Sequence, residues 1–550
     1  MGPFPIADAL PAWRPSRSVV LLDRIERPFD RAFGQAGNPW RHLGGLAYFL
    51  FWITAATGIY VYIGFDTRSD GAWESVERLS SNAFPLGALA RSLHRYASDA
   101  LIVVTLAHLA REWAHGRYAH FRRFSWLTGV LALGLLLASG IGGFWLVWDE
   151  LAQYSLVATT EWLDALPVFG GTLMRNFIAP DAVSDRLFSL LIFLHIGFPL
   201  ALLAALWVHV QRLSHPATRP PRALGFGTLA ALLLLCVVRP VTSGAPAGLD
   251  RVPGVVQVDW FYLAIHPFAD AFSPFALWIA AGGVTLVLLG LPYAGRAART
   301  RRPAAAVVDP DHCNGCARCF DDCPYAAVTM QPRSDGRAHA RQAVVDAALC
   351  ASCGICAGAC PSSTPFASSE RLATGIDMPQ APLDALRSTL EAALLRLGHD
   401  AAPAEDEPRI VVFGCDPAHG GADLTTLGGA RIATVSLACA AQLPPSFIEY
   451  ALRAGADGVL VAGCRIGDCG FRLGDRWFDE RLAGTRAPHL RASAPRDRVR
   501  VAWVGRGGAH ELMAALQALR DAVRAAPVRG VAPTLLPKRL DRASHRSIVR

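Results

Sequence analysis

No Cys-x-x-Cys-His run occurs in the 550 residues, which excludes the usual thioether attachment of a haem. Gly505-Arg-Gly-Gly508 is a glycine cluster without the spacing of a dinucleotide fingerprint, and no hydrolytic triad or metal-hydrolase motif stands out. Charge is sparse at 18% of residues, and the net +8 is not gathered into a nucleic-acid footprint, so no nucleic-acid partner is expected. Residues 1–41 lack an apolar core like that of a signal peptide, so no cleavable leader is expected.

What the chain has instead is apolar length. Six stretches can cross about 30 Å of hydrocarbon: roughly 43–64, 91–112, 124–148, 187–210, 223–240 and 274–293. The connections alternate. Segments 111–123, 211–222 and 294–302 are arginine-rich, whereas 65–90 and 149–186 carry more Asp and Glu than Arg. The bias of basic loops toward the cytoplasm puts the N-terminus and everything after 295 inside, in the inner membrane of a prokaryote, with lipid as an obligate neighbour. Residues 21–33 suit a surface helix.

Two equal intervals organise the apolar half. His94 and His108 are fourteen apart (108 − 94), and so are His195 and His209 (209 − 195). Fourteen residues is nearly four helical turns, so each pair shares a face, roughly 21 Å apart along the axis. Two such helices side by side set His94 opposite His195 and His108 opposite His209. Neutral imidazoles above and below make two stacked haem sites. Gly44 and Gly58 repeat the interval in the first stretch, Gly129 and Gly143 in the third. A macrocycle pressed on a helix needs a missing side chain at each of two heights.

Over residues 40–295 the chain therefore resembles the cytochrome b subunit of cytochrome bc complexes. The resemblance implies an outer b haem on His94 and His195, an inner b haem on His108 and His209, and Arg91 and Arg111 near haem propionates. Gln257-Val-Asp259-Trp-Phe-Tyr-Leu263 is similar to the family's Pro-Glu-Trp-Tyr quinol-oxidising motif, with Asp259 in place of the glutamate that takes a quinol proton; Val147-Trp148 stands for its Pro-Trp. A quinone substrate is implied. Bifurcated oxidation is not implied, because Asp259 and Val147-Trp148 depart from the family's motifs; the Rieske partner that it requires is also absent from this chain. A homodimer stays open.

Thirteen cysteines occupy the other half, save Cys236, which lies in an apolar run and reads as a small apolar residue. Cys313, Cys316, Cys319 and Cys323 form a C-x2-C-x2-C-x3-C-P run, and Cys350, Cys353, Cys356 and Cys360 form a second. That is the two-[4Fe–4S] ferredoxin pattern, in which the fourth cysteine serves the other cluster: Cys313, Cys316, Cys319 and Cys360 for one, Cys350, Cys353, Cys356 and Cys323 for the other. Gly315 and Gly354 would let amides approach sulfur.

Further on, short apolar strands begin at Arg409, Arg431, Gly458 and Val499 between helical stretches, as in a small α/β domain with a parallel sheet. Cys415, Cys439, Cys464 and Cys469 follow three of them, and strand ends on one sheet edge converge. Zinc is one occupant for four such thiolates. Residues 409–525, and the Gly-Ala-Asp-Gly-Val-Leu-Val-Ala-Gly-Cys-x4-Cys run at 455–469 above all, resemble the delta subunit of the methyl-viologen-reducing hydrogenase. That resemblance implies a [2Fe–2S] cluster on the four cysteines and a docked heterodisulfide-reductase-like flavoprotein, hydrogenase or formate dehydrogenase.

The expected fold is thus multi-domain: a cytoplasmic segment 1–41, an α-helical membrane bundle 42–295, a basic linker 296–306, a two-cluster module 307–366, a helical linker 367–408, a small α/β iron–sulfur domain 409–526 and a basic tail 527–550. The expected function is electron transfer between a cytoplasmic redox enzyme and the quinone pool. A membrane-anchored redox sensor without quinone turnover is the competing expectation.

Overall fold

The computed structural model describes residues 17–525 except 82–84, 179–183, 252–254, 256–258, 260, 262, 295–302, 368, 400–406, 417–423, 428, 430 and 507. Most of the basic linker and the tail 527–550 lie outside the described residues. The chain divides into two compact bodies: His42–Gln211 with Pro216–Thr300, and Met1–Arg41 with Arg212–His215 and Arg301–Arg550.

The first body is helical. After α1 (Arg17–Gly37), which belongs to the second body, come α2 (Leu43–Gly64), α3 (Ala72–Ser80), α4 (Pro85–Ala114), α5 (Arg123–Trp145), α6 (Glu150–Asp164), α7 (Asp185–Val210), α8 (Arg222–Val238), α9 (His266–Phe272) and α10 (Pro274–Gly290). The starts follow local chemistry. Asp149 caps α6 through the Ala152 amide at 2.9 Å, and Ser273 with Pro274 opens α10. α2 packs along α4, and α5 along α7. Leu50, Phe51, Ala97, Leu101, Ile102, Leu136 and Leu202 form the core between the pairs.

Among the described residues four helical stretches are long and apolar enough to cross a membrane: Pro39–Gly64, His120–Trp145, Asp185–Val210 and Pro274–Tyr293. Two of the six expected stretches fall short for identifiable reasons. The 223–240 stretch folds as a 17-residue helix, α8. The 91–112 stretch lies in the 30-residue α4, which is long enough but carries Arg91, Arg95, Asp99, Arg111 and Glu112. Several of these charges are paired at short range: Arg91 with Glu77 at 3.1 Å, Arg95 with Asp99 at 3.1 Å, and Glu112 with Arg117 and Arg122 at 3.3 and 3.4 Å. Pairing is what makes a charge tolerable inside a helical bundle.

The second body holds β1 (Val307–Val308), α11 (Arg318–Asp322), β2 (Val328–Pro332), β3 (Arg341–Val345), α12 (Ile355–Ala359), β4 (Ile376–Asp377), α13 (Leu383–His399), β5 (Ile410–Cys415), β6 (Ile432–Leu437), α14 (Pro445–Arg453), β7 (Gly458–Cys464), α15 (Gly474–Ala483), β8 (Val499–Val504) and α16 (Ala509–Ala525). β1 with β4, and β2 with β3, make two antiparallel ribbons around the eight cysteines from Cys313 to Cys360. β5 to β8 form a parallel sheet in the order β6-β5-β7-β8. The central β5 and β7 are buried at every position, as strands covered on both faces must be, while edge strand β6 alternates.

Helix α1 of the N-terminal segment packs within this body. Val19 and Leu22 of α1 are buried, and Asp23 and Asp30 approach Arg465 at 2.6 and 3.7 Å.

Candidate functional site

In the first body each expected glycine meets one expected histidine. Gly58 faces His94, Gly44 faces His108, Gly143 faces His195 and Gly129 faces His209. A Cβ at Gly58 would lie 2.8 Å from the His94 ring, and one at Gly143 closer still to that of His195. The equal intervals of fourteen thus register two antiparallel helix pairs, glycine against imidazole.

The missing side chain does something the spacing alone did not show. It lets the ring reach the carbonyl one turn back on the glycine's own helix. His94 Nδ1 lies 2.9 Å from the Thr54 carbonyl, and His195 Nδ1 3.0 Å from that of Ser139. His209 bonds likewise to the Ser125 backbone. Each carbonyl is four residues before its glycine (58 − 54, 143 − 139, 129 − 125). Thr57 and Thr128 add hydroxyls at 3.3 and 3.0 Å from Nδ1 of His94 and His209. An imidazole that gives Nδ1–H to a carbonyl presents the Nε2 lone pair, as ligating histidines do. Sequence reading missed these partners, although the Thr-Gly pairs at 57–58 and 128–129 were a visible signal.

α4 and α7 stay apart, and the rings bridge the space between them. The ring centres of His94 and His195 are 6.3 Å apart and cross at 78°. A metal between two axial imidazoles, with bonds of about 2 Å and half a ring beyond each nitrogen, separates ring centres by about 6 Å. The donor set and its spacing therefore fit a bis-histidine haem. His108 and His209 are likewise electrostatic neighbours.

The remaining candidates of this body are placed differently. Arg91 is buried and already bonded, to Glu77 at 3.1 Å, to Ser80 and to Ser243 at 2.6 Å. Arg111 is buried. Of the Gln257–Leu263 run only Asp259, Phe261 and Leu263 are described. Asp259 pairs with Arg95, which also pairs with Asp99, and accepts from the Phe261 amide at 2.7 Å. The structure makes it an ion-pair partner, so taking a quinol proton would mean giving up Arg95. Trp148 is buried beside Phe188, 5.1 Å between ring centres.

In the second body Cys313, Cys316, Cys319 and Cys360 line one pocket, together with Met330 and Ile376. Burial and the three neighbouring thiols push Cys319 up to about 12. Cys353 has Cys323 and Cys350 as neighbours, and Cys356 has those two and Cys353; burial raises both thiols. So the chain gathers the fourth cysteine of each run with the first three of the other. The two runs share a backbone pattern. Gly315 and Ser352, one residue before the second cysteine, have φ of 68° and 58°; Ala317 and Gly354, one residue after it, have 64° and 75°. Left-handed residues turn successive amides toward one side, and only two of the four are glycine, so half the pattern was invisible by residue type.

The last four cysteines meet beyond the carboxyl ends of β5, β6 and β7. Cys439 and Cys464 hydrogen-bond to Cys469, which raises their thiols and holds Cys469 down. Cys464 also bonds to Cys415, whose sulfur accepts from the Ala440 amide at 3.0 Å. A residue that sequence reading missed closes the site: a Cβ at Gly474 would collide with the Cys439 sulfur and lie 3.0 Å from that of Cys469. Burial and Cys469 raise the adjoining Asp475 carboxyl to about 7. Among the described residues no group of three or more His, Cys, Asp or Glu is placed to hold a single metal ion, and none of the cysteines is in a disulfide. Buried thiols that repel one another as thiolates suit a polynuclear iron core, whose positive charge deprotonates them. Cys236 is buried in α8.

Three family models match successive parts of the chain. Residues 32–216 match the family described as Cytochrome b/b6/petB, residues 312–364 the 4Fe-4S dicluster domain, and residues 410–526 the delta subunit of methyl-viologen-reducing hydrogenase. The chain therefore joins a cytochrome b-type helical region, a ferredoxin module and a small parallel α/β domain, in that order. It is 28% identical to cytochrome b6 of Heliobacterium mobile over 37% of this chain and 96% of that protein. It is also 28% identical to the menaquinol:cytochrome c reductase cytochrome b subunit of Bacillus subtilis, over 31% of this chain and 80% of that protein. A chain of a hyperthermophilic respiratory Complex III superposes with a TM-score of 0.41 at 18% identity, covering 52% of this chain and 85% of that one. The cytochrome b matches imply haem b, the dicluster match implies [4Fe–4S] clusters, and the combination is that of an oxidoreductase subunit for membrane electron transfer.

Proposed function

We propose that this protein passes single electrons between a soluble redox enzyme docked on domain 409–526 and the quinone pool, in a prokaryotic inner membrane with the iron–sulfur body on the cytoplasmic side. His94 and His195 hold one b haem, His108 and His209 a second. Cys313, Cys316, Cys319 and Cys360 hold one [4Fe–4S] cluster, Cys323, Cys350, Cys353 and Cys356 another, and Cys415, Cys439, Cys464 and Cys469 a [2Fe–2S] cluster. The domain limits are 42–295, 307–366 and 409–526. When bound, these groups each accept and release one electron. The residues of the chain supply position: carbonyls at 54, 125 and 139 fix the ring tautomers, and the four glycines set how near each ring stands to its helix. The observation that carries the reading is the 6.3 Å separation of His94 and His195 with both Nδ1 atoms turned to carbonyls.

Anaerobic redox titration of the purified protein, followed optically and by EPR, is expected to show two b haems, two cubanes and one binuclear centre. A quinol analogue is expected to reduce the haems. Haems that neither a quinol reduces nor a quinone oxidises would sink the quinone link.

Gly143→Val is a second test. The added side chain meets the His195 ring directly, and overpacking costs about 1–3 kcal/mol. It is expected to halve the haem content by pyridine haemochrome assay. Gly134→Val, on the same helix with nothing within 4 Å, is expected to leave it unchanged.

A further inference from the structure

The two cysteine sets of the ferredoxin module are not equivalent in their surroundings. The set with Cys353 adjoins the α/β domain. Cys353 interacts with Cys469, and Cys439 with Cys353. The backbones are pressed together there. A Cβ at Gly358 would collide with the Ala441 carbonyl, and one at Gly354 would lie 2.8 Å from the Gln442 side chain. Ala441 and Gln442 directly follow Cys439 and Ala440.

The residues flanking Cys323 are locked from the same side. Arg481 bonds to Asp322 at 2.5 Å and to the Ala441 carbonyl at 2.6 Å, so one guanidinium joins the two domains. Trp477 donates to the Asp322 carbonyl at 3.1 Å. Arg472, three residues past Cys469, donates to the Pro324 carbonyl at 3.0 Å. In the set with Cys316, Cys319 and Cys360 lie within three residues of Asp322 and Gly358, and the thiols that act on Cys319 are those of Cys313, Cys316 and Cys360. Cys316 is exposed, and its pocket is lined by ribbon residues, Ile376 of β4 among them, and by Gly375. Its link to the other set runs between Cys319 and Cys356.

We propose that electrons cross between the α/β domain and the ferredoxin module only through the cysteine set Cys323, Cys350, Cys353 and Cys356, at the junction of Cys353 with Cys439 and Cys469, and that the set Cys313, Cys316, Cys319 and Cys360 lies one transfer further out. This rests on the reading of all three sets as iron–sulfur centres. The step is one electron: the reduced binuclear centre is oxidised to its diferric state as the oxidised cubane is reduced, with no bond or proton exchanged, and it runs equally in reverse. Its physical basis is that tunnelling falls steeply with distance, and the junction is where sulfur ligands of two sets are neighbours.

The test is EPR power saturation of the full-length protein reduced with dithionite. The binuclear signal is expected to relax fast in the unaltered protein because a paramagnetic cubane stands beside it. Cys350→Ala is expected to abolish that fast relaxation, and Cys316→Ala to leave it. The reverse pattern, or fast relaxation kept in both, overturns the order. Gly358→Val, which alters no cysteine, is expected to weaken the relaxation at unchanged iron content; unchanged relaxation counts against the junction. An unaltered protein that shows cubane signals and no binuclear signal overturns the underlying reading instead, and the two failures are told apart by that spectrum.

Discussion

Replacement of His94 by alanine is expected to yield a protein that binds one b haem instead of two. The His94 ring stands 6.3 Å from that of His195 between centres, and the residues flanking His195 on the opposite helix, Phe193 to Phe198, carry no second side-chain nitrogen. Removing one imidazole leaves an axial position open in a space walled by apolar helices. His195→Ala is expected to give the same spectrum, because both remove the same site. His108→Ala and His209→Ala are expected to remove the other haem. The measurement is the reduced-minus-oxidised optical spectrum with a haemochrome count: the α-band should fall by about half, with the surviving haem's midpoint potential near its former value. Different spectra for His94→Ala and His195→Ala would show the pairing to be wrong. Loss of both haems from one replacement would show that the two levels do not fold independently.

The second large effect is structural. Arg481 is fully buried and Asp322 is 3% exposed, with their charged atoms 2.5 Å apart. Burial lowers the proton affinity of the Arg481 guanidinium, so the site is stable as an ion pair only while both partners are present. Breaking a buried pair by removing one partner costs about 3–5 kcal/mol, because the remaining charge stays desolvated. Arg481→Met also strands the Ala441 carbonyl, which the guanidinium serves at 2.6 Å. Arg486 remains on Asp322 at 2.6 Å, but its side chain is 22% exposed. Arg486→Met is therefore expected to cost about 1 kcal/mol, nearer the value for an exposed pair. The check is thermal loss of the visible iron–sulfur absorbance in the full-length protein, with haem absorbance as an internal reference. Equal shifts for the two variants would show that burial at Arg481 is not the source of the effect.

Residue type and interval made much of this legible. Histidines and glycines at intervals of fourteen identify themselves because a helix repeats its faces with a fixed pitch, so matched spacing means matched height. The two C-x2-C-x2-C-x3-C-P runs identify themselves because a cluster demands three thiolates on one short loop. The strands at 410 and 458 were readable because a strand buried on both faces must be apolar throughout, and those at 432 and 499 by their short β-branched runs. α4 was read as a span on its apolar run, and the five charges it carries leave it out of the stretches apolar enough to cross a membrane, although Glu77 and Asp259 pair with two of them. Asp259 itself shows the converse: a motif suggested a proton acceptor, and the fold supplied an arginine.

Local sequence, then, sufficed for most of the elements and for the succession of a cytochrome b-type region, a ferredoxin module and a parallel α/β domain, since each of these depends on periodicity, chain spacing and donor chemistry. The tertiary structure alone decided which carbonyl each imidazole faces, which cysteine set abuts the α/β domain, and that Arg481 ties Asp322 to Ala441. Those contacts join residues as far as 159 positions apart, and such pairs are chosen by packing density and by the cost of leaving a buried polar group without a partner. No interval in the sequence carries that information.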